Sequence, residues 1–468
     1  MKIVLISTYE MGHQPFGLAS PAAWLRREGH KVFCLDTSQQ ALKDFESNLA
    51  EADAVAFYLP MHTATRIAMY AIRRVRALNP TARFCAYGLY APMNAELLRE
   101  SGVERVIGGE FERELVEWAK SLGPNIREMV STFSIPPFPK EGKDGAPSSF
   151  ISLEKLQFVV PDRSDLPRLA KYAKLKLPSG EERVVGYTEA TRGCKHLCRH
   201  CPIVPVYNGA FRVVQREVVL ADVRQQVAAG AQHITFGDPD FFNGPTHAME
   251  IVEALHREFP DVSYDVTIKV EHLLKHADLL PRLRDTGCAF VVSAVESFDD
   301  RVLEYLDKGH TRADFVRVVG LFRETDLNLT PTFVAFHPWT TLESYREFLL
   351  GLAELELIDN VQPIQLAIRL LIPVGSRLLE LSEIQEGIED FDREALAYPW
   401  SNPDVRVDEL QRELEMLIQG AMKAGMSRRE IFAEALRLTE ERLGRIPSQI
   451  GPMPDRATIP YLTEPWYC

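Results

Sequence analysis

The stretch "EATRGCKHLCRHCP" sets Cys194, Cys198 and Cys201 in a C-x3-C-x2-C array. Thiolates are soft ligands, and three this close in sequence suit three irons of one [4Fe–4S] cluster. No fourth cysteine stands at local spacing, which leaves one iron open to a ligand that is not protein. A structural zinc knuckle is the competing chemistry, with His196 or His200 as fourth ligand. Zinc sites more often use paired C-x2-C arms, and a second arm is missing here. The seven cysteines are an odd number, which argues for metal chemistry in the cytoplasm and against a secreted disulfide framework. Cys34 in "VFCLD", Cys85 in "RFCAY" and Cys288 in "TGCAFVV" lie in apolar runs and read as buried structural thiols.

The cysteines need elements to hold them. From Val184 to about Pro373, apolar strands alternate with helical segments: "VVGYTEA", "HITFGD", "YDVTIKV", "FVVSAVE", "LTPTFVAF" and "IQLAIRLL". This βα alternation predicts a partial or full α/β barrel over 184–380, with chemistry at the C-terminal strand ends. The cysteine array follows the first of these strands. A second alternation, "KIVLIS", "KVFCLD", "AVAFYLP", "RFCAYG" and "RVIGG", predicts a doubly wound parallel sheet over 1–122. Gly88, Gly108 and Gly109 follow its strands and suit tight turns at the ligand-binding edge. The proline-, glycine- and serine-rich "STFSIPPFPKEGKDGAPSS" marks a linker over 123–183. A helical section over 381–450 and a tail over 451–468 complete the chain.

Composition narrows the function. The 468 residues suffice for two or three domains, and 46% hydrophobic with 25% charged content is ordinary for a globular protein. A net charge of −13 disfavours a bulk electrostatic grip on nucleic acid or anionic lipid. A small-molecule substrate fits better. The N-terminus lacks the layout of a signal peptide, and no apolar run approaches the length of a membrane span.

The cysteine spacing, placed after the first strand of a βα barrel, resembles the radical S-adenosylmethionine (SAM) superfamily. That resemblance implies that the open iron chelates the amino and carboxylate groups of SAM. An electron from the cluster, supplied by a reductant such as flavodoxin or ferredoxin, then cleaves a carbon–sulfur bond. The usual product is a 5′-deoxyadenosyl radical. It also implies cofactor-binding roles along the barrel. Asp238 and Asp240 in "ITFGDPDF" lie where the family holds the SAM amino group. Glu296 and Ser297 in "SAVESFDD", a stretch that later closes with Lys-Gly-His, would face SAM. Lys269 in "TIKVE" and Arg369 in "AIRLLIPVGS" would meet a carboxylate of SAM or substrate, and Thr332 would lie near the adenine. An aromatic usually precedes the last cysteine, where this chain has His200.

The front sheet resembles the cobalamin-binding-like domain that precedes many such barrels, carried by "CAYGLYAPMNAELLRESGVERVIGGEFERELVEWAK" and the connector "PDRSDLPRLAKYA". The D-x-H-x-x-G loop that gives cobalt a histidine is absent. His13 in "EMGHQPFG" and His62 in "LPMHTATR" are the nearby imidazoles. Methylthiotransferases, another branch, need extra N-terminal cysteines for a second cluster, whereas Cys34 and Cys85 here sit inside apolar strands.

The ending "LTEPWYC", with "YLPMHTATR" and "ITFGDPDFFNG", resembles the CUAEP/CCAEP-tail radical SAM proteins. Their tails carry Cys-Cys or Cys-selenocysteine before Ala-Glu-Pro. A related family with an RCCLKC tail resembles enzymes that add a 3-amino-3-carboxypropyl group from SAM to trivalent arsenic, and vicinal thiols chelate a soft metalloid. By these resemblances Cys468 is the candidate substrate-capturing thiol for an arsenic or selenium species, and the natural chain is expected to continue through selenocysteine. The expected function is therefore a SAM-cleaving transferase acting on a small, thiophilic substrate. The alternatives are a cobalamin-dependent radical SAM methyltransferase and a zinc-stabilised binding protein without catalysis.

Overall fold

A computed structural model of the chain describes residues 1–123, 150–446 and 461–463. The "STFSIPPFPKEGKDGAPSS" segment and Cys468 lie outside them. The front sheet is built from β1 (Lys2–Ser7), β2 (Lys31–Asp36), β3 (Ala54–Tyr58), β4 (Arg83–Tyr87) and β5 (Arg105–Gly109). A sixth short strand, β6 (Ile151–Ser152), comes from the stretch read as linker, and the order is β2-β1-β3-β4-β5-β6. Every pairing is parallel.

These strands read as unbroken apolar runs because both faces are covered. Helices Phe16–Arg27 and Phe111–Ser121 bury Leu18, Leu25 and Leu115 on one face. Helices His62–Leu78 and Ala95–Glu100 bury Ile72, Val75 and Leu98 on the other. At the turn after β5, Gly109 has φ 73°, and a Cβ there would stand 2.2 Å from the Ser152 carbonyl oxygen. Glycine is what lets β6 lie so close.

The second sheet runs β14-β13-β12-β11-β8-β7-β15. Its five parallel strands are β8 (Glu182–Thr188), β11 (His233–Phe236), β12 (Ser263–Thr267), β13 (Cys288–Glu296) and β14 (Leu329–Phe333). Two antiparallel strands, β7 (Lys174–Lys176) and β15 (Tyr461–Leu462), extend the β8 edge. The result is a curled half barrel, so the partial form of the expected barrel is the one adopted.

"IQLAIRLL" is not a strand. Pro363 opens a 3-10 turn over Pro363–Leu366, and a single bridge, Phe336 to Arg369, joins the segment to the sheet. A short apolar run records burial without its period, so strand and buried turn look alike. Helices Val405–Lys423 and Arg428–Arg442 close the barrel's flank with Leu410, Leu414, Ile418, Phe432 and Leu436.

Candidate active site at the mouth of the half barrel

The cysteine loop leaves a short hairpin formed by β9 (Thr191–Gly193) and β10 (Phe211–Val213). Gly193, the residue before Cys194, has φ 74°, and a Cβ there would sit 2.4 Å from the Tyr207 ring. The "RGC" glycine is thus a steric requirement. The loop is then tied to other strand ends. The Lys195 amide donates to Asn243 Oδ1 at 3.2 Å, just beyond β11. The Arg199 amide donates to the Leu306 carbonyl at 2.9 Å, beyond β13. Asp238 serves this scaffold too. Its carboxylate accepts from the Ala190 amide at 2.9 Å and the Thr191 hydroxyl at 2.6 Å. Burial, with Glu189 nearby, pushes its pKa up to about 7.

Cys194 and Cys198 are buried, Cys201 is partly so, and all three are free thiols. Burial pushes Cys201 up to about 12, with Cys198 and Cys194 adding to the rise, and burial also raises Cys194. Metal binding deprotonates such thiols. Lys308 lies within the field of Cys198 and Cys201 and supplies positive charge beside them. Three convergent sulfurs and an adjacent buried cation fit an iron–sulfur cluster with one iron open.

Glu296 anchors the next part. It ends β13 at a register shift and has φ 73°, a left-handed conformation rare for a non-glycine residue. Its Oε1 accepts from Lys308 Nζ at 3.2 Å and stands 3.1 Å from His200 Nε2. Burial works against its charge, but Lys308 and His200 hold its pKa down at about 2. The residue in the usual aromatic position therefore links the cysteine loop to Glu296. Ser297 Oγ accepts from the Asp299 amide at 3.0 Å. A cavity of about 110 Å³ opens at Glu296 and Ser297, between helices Arg312–Thr325 and Leu342–Glu354. Glu296 thus stands as a charged carboxylate between the cysteine loop, through His200, and this cavity.

Lys269 is buried at the start of helix Val270–Lys275, with Nζ 3.7 Å from Glu271. Asp240 is fully buried among His196 and His272. Thr332 lies on β14 opposite Ala294. Arg369 is engaged elsewhere: it donates to Asp408 at 2.6 Å and to the Trp400 carbonyl, and lies 3.5 Å over the Trp400 ring. The sequence does not announce His272 or the pairing of Lys308 with Glu296. His272 is signalled only by a polar residue in the apolar "KVEHLL", and Lys308 only by the Lys-Gly-His that closes the Glu296 stretch.

The front sheet meets the barrel through buried charge. Arg192 donates to Glu112 at 2.7 and 3.0 Å, to Glu110 at 3.2 Å and to Glu189 at 2.7 Å. Tyr207 donates to Glu110 at 3.0 Å, and Ser20 donates to Glu112 at 2.6 Å. The two nearby imidazoles are also committed. His13 packs on Tyr187 of β8, ring centres 4.9 Å apart, and burial drives its pKa down to about 4. His62 Nε2 lies 2.6 Å from the Ala395 carbonyl oxygen. Neither stands in a D-x-H-x-x-G loop, so these residues fit cobalamin in a form without that loop's imidazole.

Residues 188–349 match the family model described as the radical SAM superfamily. The hopanoid C-3 methylase of Methylococcus capsulatus is 26% identical over 322 residues, 66% of this chain. The chain spans 59% of that relative's length. Among solved structures, the radical SAM methyltransferase TsrM of Kitasatospora setae, with tryptophan and a SAM analog bound, aligns with a TM-score of 0.62 at 18% identity. That alignment covers 83% of this chain and 78% of TsrM. The cobalamin-dependent SAM radical enzyme OxsB, with aqua-cobalamin and SAM bound, aligns at 0.63 and 13% identity over 90% of this chain and 67% of its own. At these identities the structural matches establish the fold. The three cysteines, the half barrel and the family model agree in making residues 188–349 a radical SAM domain.

Proposed function

We propose that this chain is a cobalamin-dependent radical SAM methyltransferase acting on a small molecule. One observation carries the reading: a parallel front sheet docked onto a cysteine-bearing half barrel, an architecture aligned with TsrM over 83% of the chain and OxsB over 90%. The hopanoid C-3 methylase adds support from sequence. When bound, the cluster supplies an electron to SAM and cobalamin supplies methyl-group chemistry.

The chain's own residues supply binding and orientation. Cys194, Cys198 and Cys201 hold iron, and Lys308 offsets their negative charge. Glu296, fixed by Lys308 and His200, presents a carboxylate to SAM, while Lys269 presents an ammonium to a carboxylate. Asp238 keeps the cysteine loop in register. A flavodoxin- or ferredoxin-type protein delivers the electron. Cobalamin is held without an imidazole from His13 or His62.

The test is anaerobic reconstitution with iron, sulfide and hydroxocobalamin, followed by desalting and reduction with SAM. Retained cobalamin absorbance, with S-adenosylhomocysteine and 5′-deoxyadenosine among the products, is the expected result. Methylthioadenosine as the product, with no cobalamin retained, overturns the reading in favour of carboxypropyl transfer. The narrower idea of an arsenic or selenium substrate rests on the tail sequence. Arsenite binding that is equal in the parent and Cys468→Ala removes it.

A further inference from the structure

Beside the cysteine loop lies a second set of ligand-type side chains that the cluster does not use. His196, between Cys194 and Cys198, comes from the loop. Asp240 follows β11, and His272 lies on the helix Val270–Lys275 that follows β12. Their ligand atoms all lie within 4.8 Å of one another. Asp240 Oδ2 is 2.6 Å from His272 Nδ1 and 3.6 Å from His196 Nε2. The two imidazole rings meet edge to face with centres 4.8 Å apart.

We propose that His196, Asp240 and His272 bind one divalent transition-metal ion, separate from the iron–sulfur cluster. Three observations carry this. Asp240 is fully buried and His272 is buried, yet Asp240 Oδ2, His272 Nδ1 and His196 Nε2 all lack an aligned hydrogen-bond partner. Buried polar atoms seldom remain unpaired, and three that converge on one point suit a common partner. Donors about 2.0–2.1 Å from a tetrahedral ion stand roughly 3.4 Å apart: the 3.6 Å from Asp240 to His196 is close to that, while the 2.6 Å to His272 would open on binding.

The third observation is the next layer. His196 turns its other nitrogen, Nδ1, toward Glu271 Oε2 at 3.6 Å. Metal-bound imidazoles commonly place their free nitrogen on a carboxylate, which fixes the ring and raises its basicity. Two imidazoles and one carboxylate suit zinc, iron(II) or a similar ion better than magnesium or calcium. Three protein ligands leave a coordination position open for water or for a donor atom of the substrate. The site differs from a zinc knuckle in using no sulfur.

The experiment uses holoprotein reconstituted anaerobically with its cluster, equilibrated with Zn²⁺ and desalted, then analysed for zinc, iron and sulfide. One zinc per chain beside the cluster iron is expected. Asp240→Asn and His272→Ala should keep iron and sulfide but lose zinc. Glu271→Gln should keep the zinc with affinity weaker on the order of 10-fold. Where either ligand variant fails to hold its cluster, the triple variant C194A/C198A/C201A reads the site by Co²⁺ absorption. Weak d–d bands without thiolate charge transfer, lost on adding D240N, support the site. Zinc retained by D240N and H272A, no zinc in the folded holoprotein, or cobalt bound only when the cysteines are present each overturns it.

Discussion

The two sheets present their strand ends to the same interface but use charge in opposite ways. On the front side, Glu110 and Glu112 follow β5 and are closed off by Arg192, Tyr207 and Ser20. Both of these carboxylates have donors, and the guanidinium also lies 4.9–5.6 Å over the rings of Phe16, Phe111 and Phe158. On the barrel side, thiols, imidazoles and carboxylates converge with valence to spare. Asp240, His272 and both nitrogens of the buried His310 lack an aligned partner. A satisfied network rigidifies, whereas an unsatisfied one awaits a ligand. The front edge therefore acts as a joint and the barrel mouth as a site.

The largest effect that separates the two should come from the cysteines. Cys201→Ala should leave the thermal transition nearly unchanged while abolishing cluster absorbance and SAM cleavage. A variant that still cleaves SAM would remove the cluster assignment. Next comes the joint. Arg192→Ala leaves two buried carboxylates and the partly buried Glu189 without their cation and should cost about 3–5 kcal/mol, read as a lowered denaturation midpoint. A loss below about 1 kcal/mol would mean that the network is open to water, contrary to its burial.

The joint also predicts a pH dependence. Burial raises the Glu110 pKa from 4.5 to about 7, with Arg192 opposing. A raised carboxyl binds its proton more tightly when folded. Its contribution is full below about pH 4.5 and is lost as pH rises through 7. Glu110→Gln does not titrate, so its melting temperature relative to the parent should climb between pH 5 and pH 7.5, on the scale of the reference carboxyl pKa near 4.3. A flat difference would show that Glu110 stays ionised beside Arg192. The smallest effect belongs to His62→Ala. It removes one hydrogen bond to Ala395 and should cost about 0.5–1.5 kcal/mol, with cobalamin retention unchanged. Lost retention would make His62 a cobalt ligand.

How much of this was legible in the chain varies by residue. The five front strands and the first five barrel strands stand in the sequence because apolar alternation and length mark them. "IQLAIRLL" does not declare its turn, since burial on every side erases the period. The cluster cysteines were legible because their ligand spacing is local. Asp238 and Arg369 carry no local mark of their partners: one pins Ala190 and Thr191, and the other pairs with Asp408, 39 residues on.

The sequence alone determined the C-x3-C-x2-C spacing, the two βα sheets and the absence of a D-x-H-x-x-G pattern. Each is written in spacings of a few residues, where covalent geometry limits what the chain can do. Only the tertiary structure decided that His200 and Lys308 fix Glu296, that His196, Asp240 and His272 converge, and that Arg192 joins the sheets. Those groupings bring together residues from separate strand ends, some about 80 positions apart. Their energies depend on burial and mutual distance, and no local pattern encodes either.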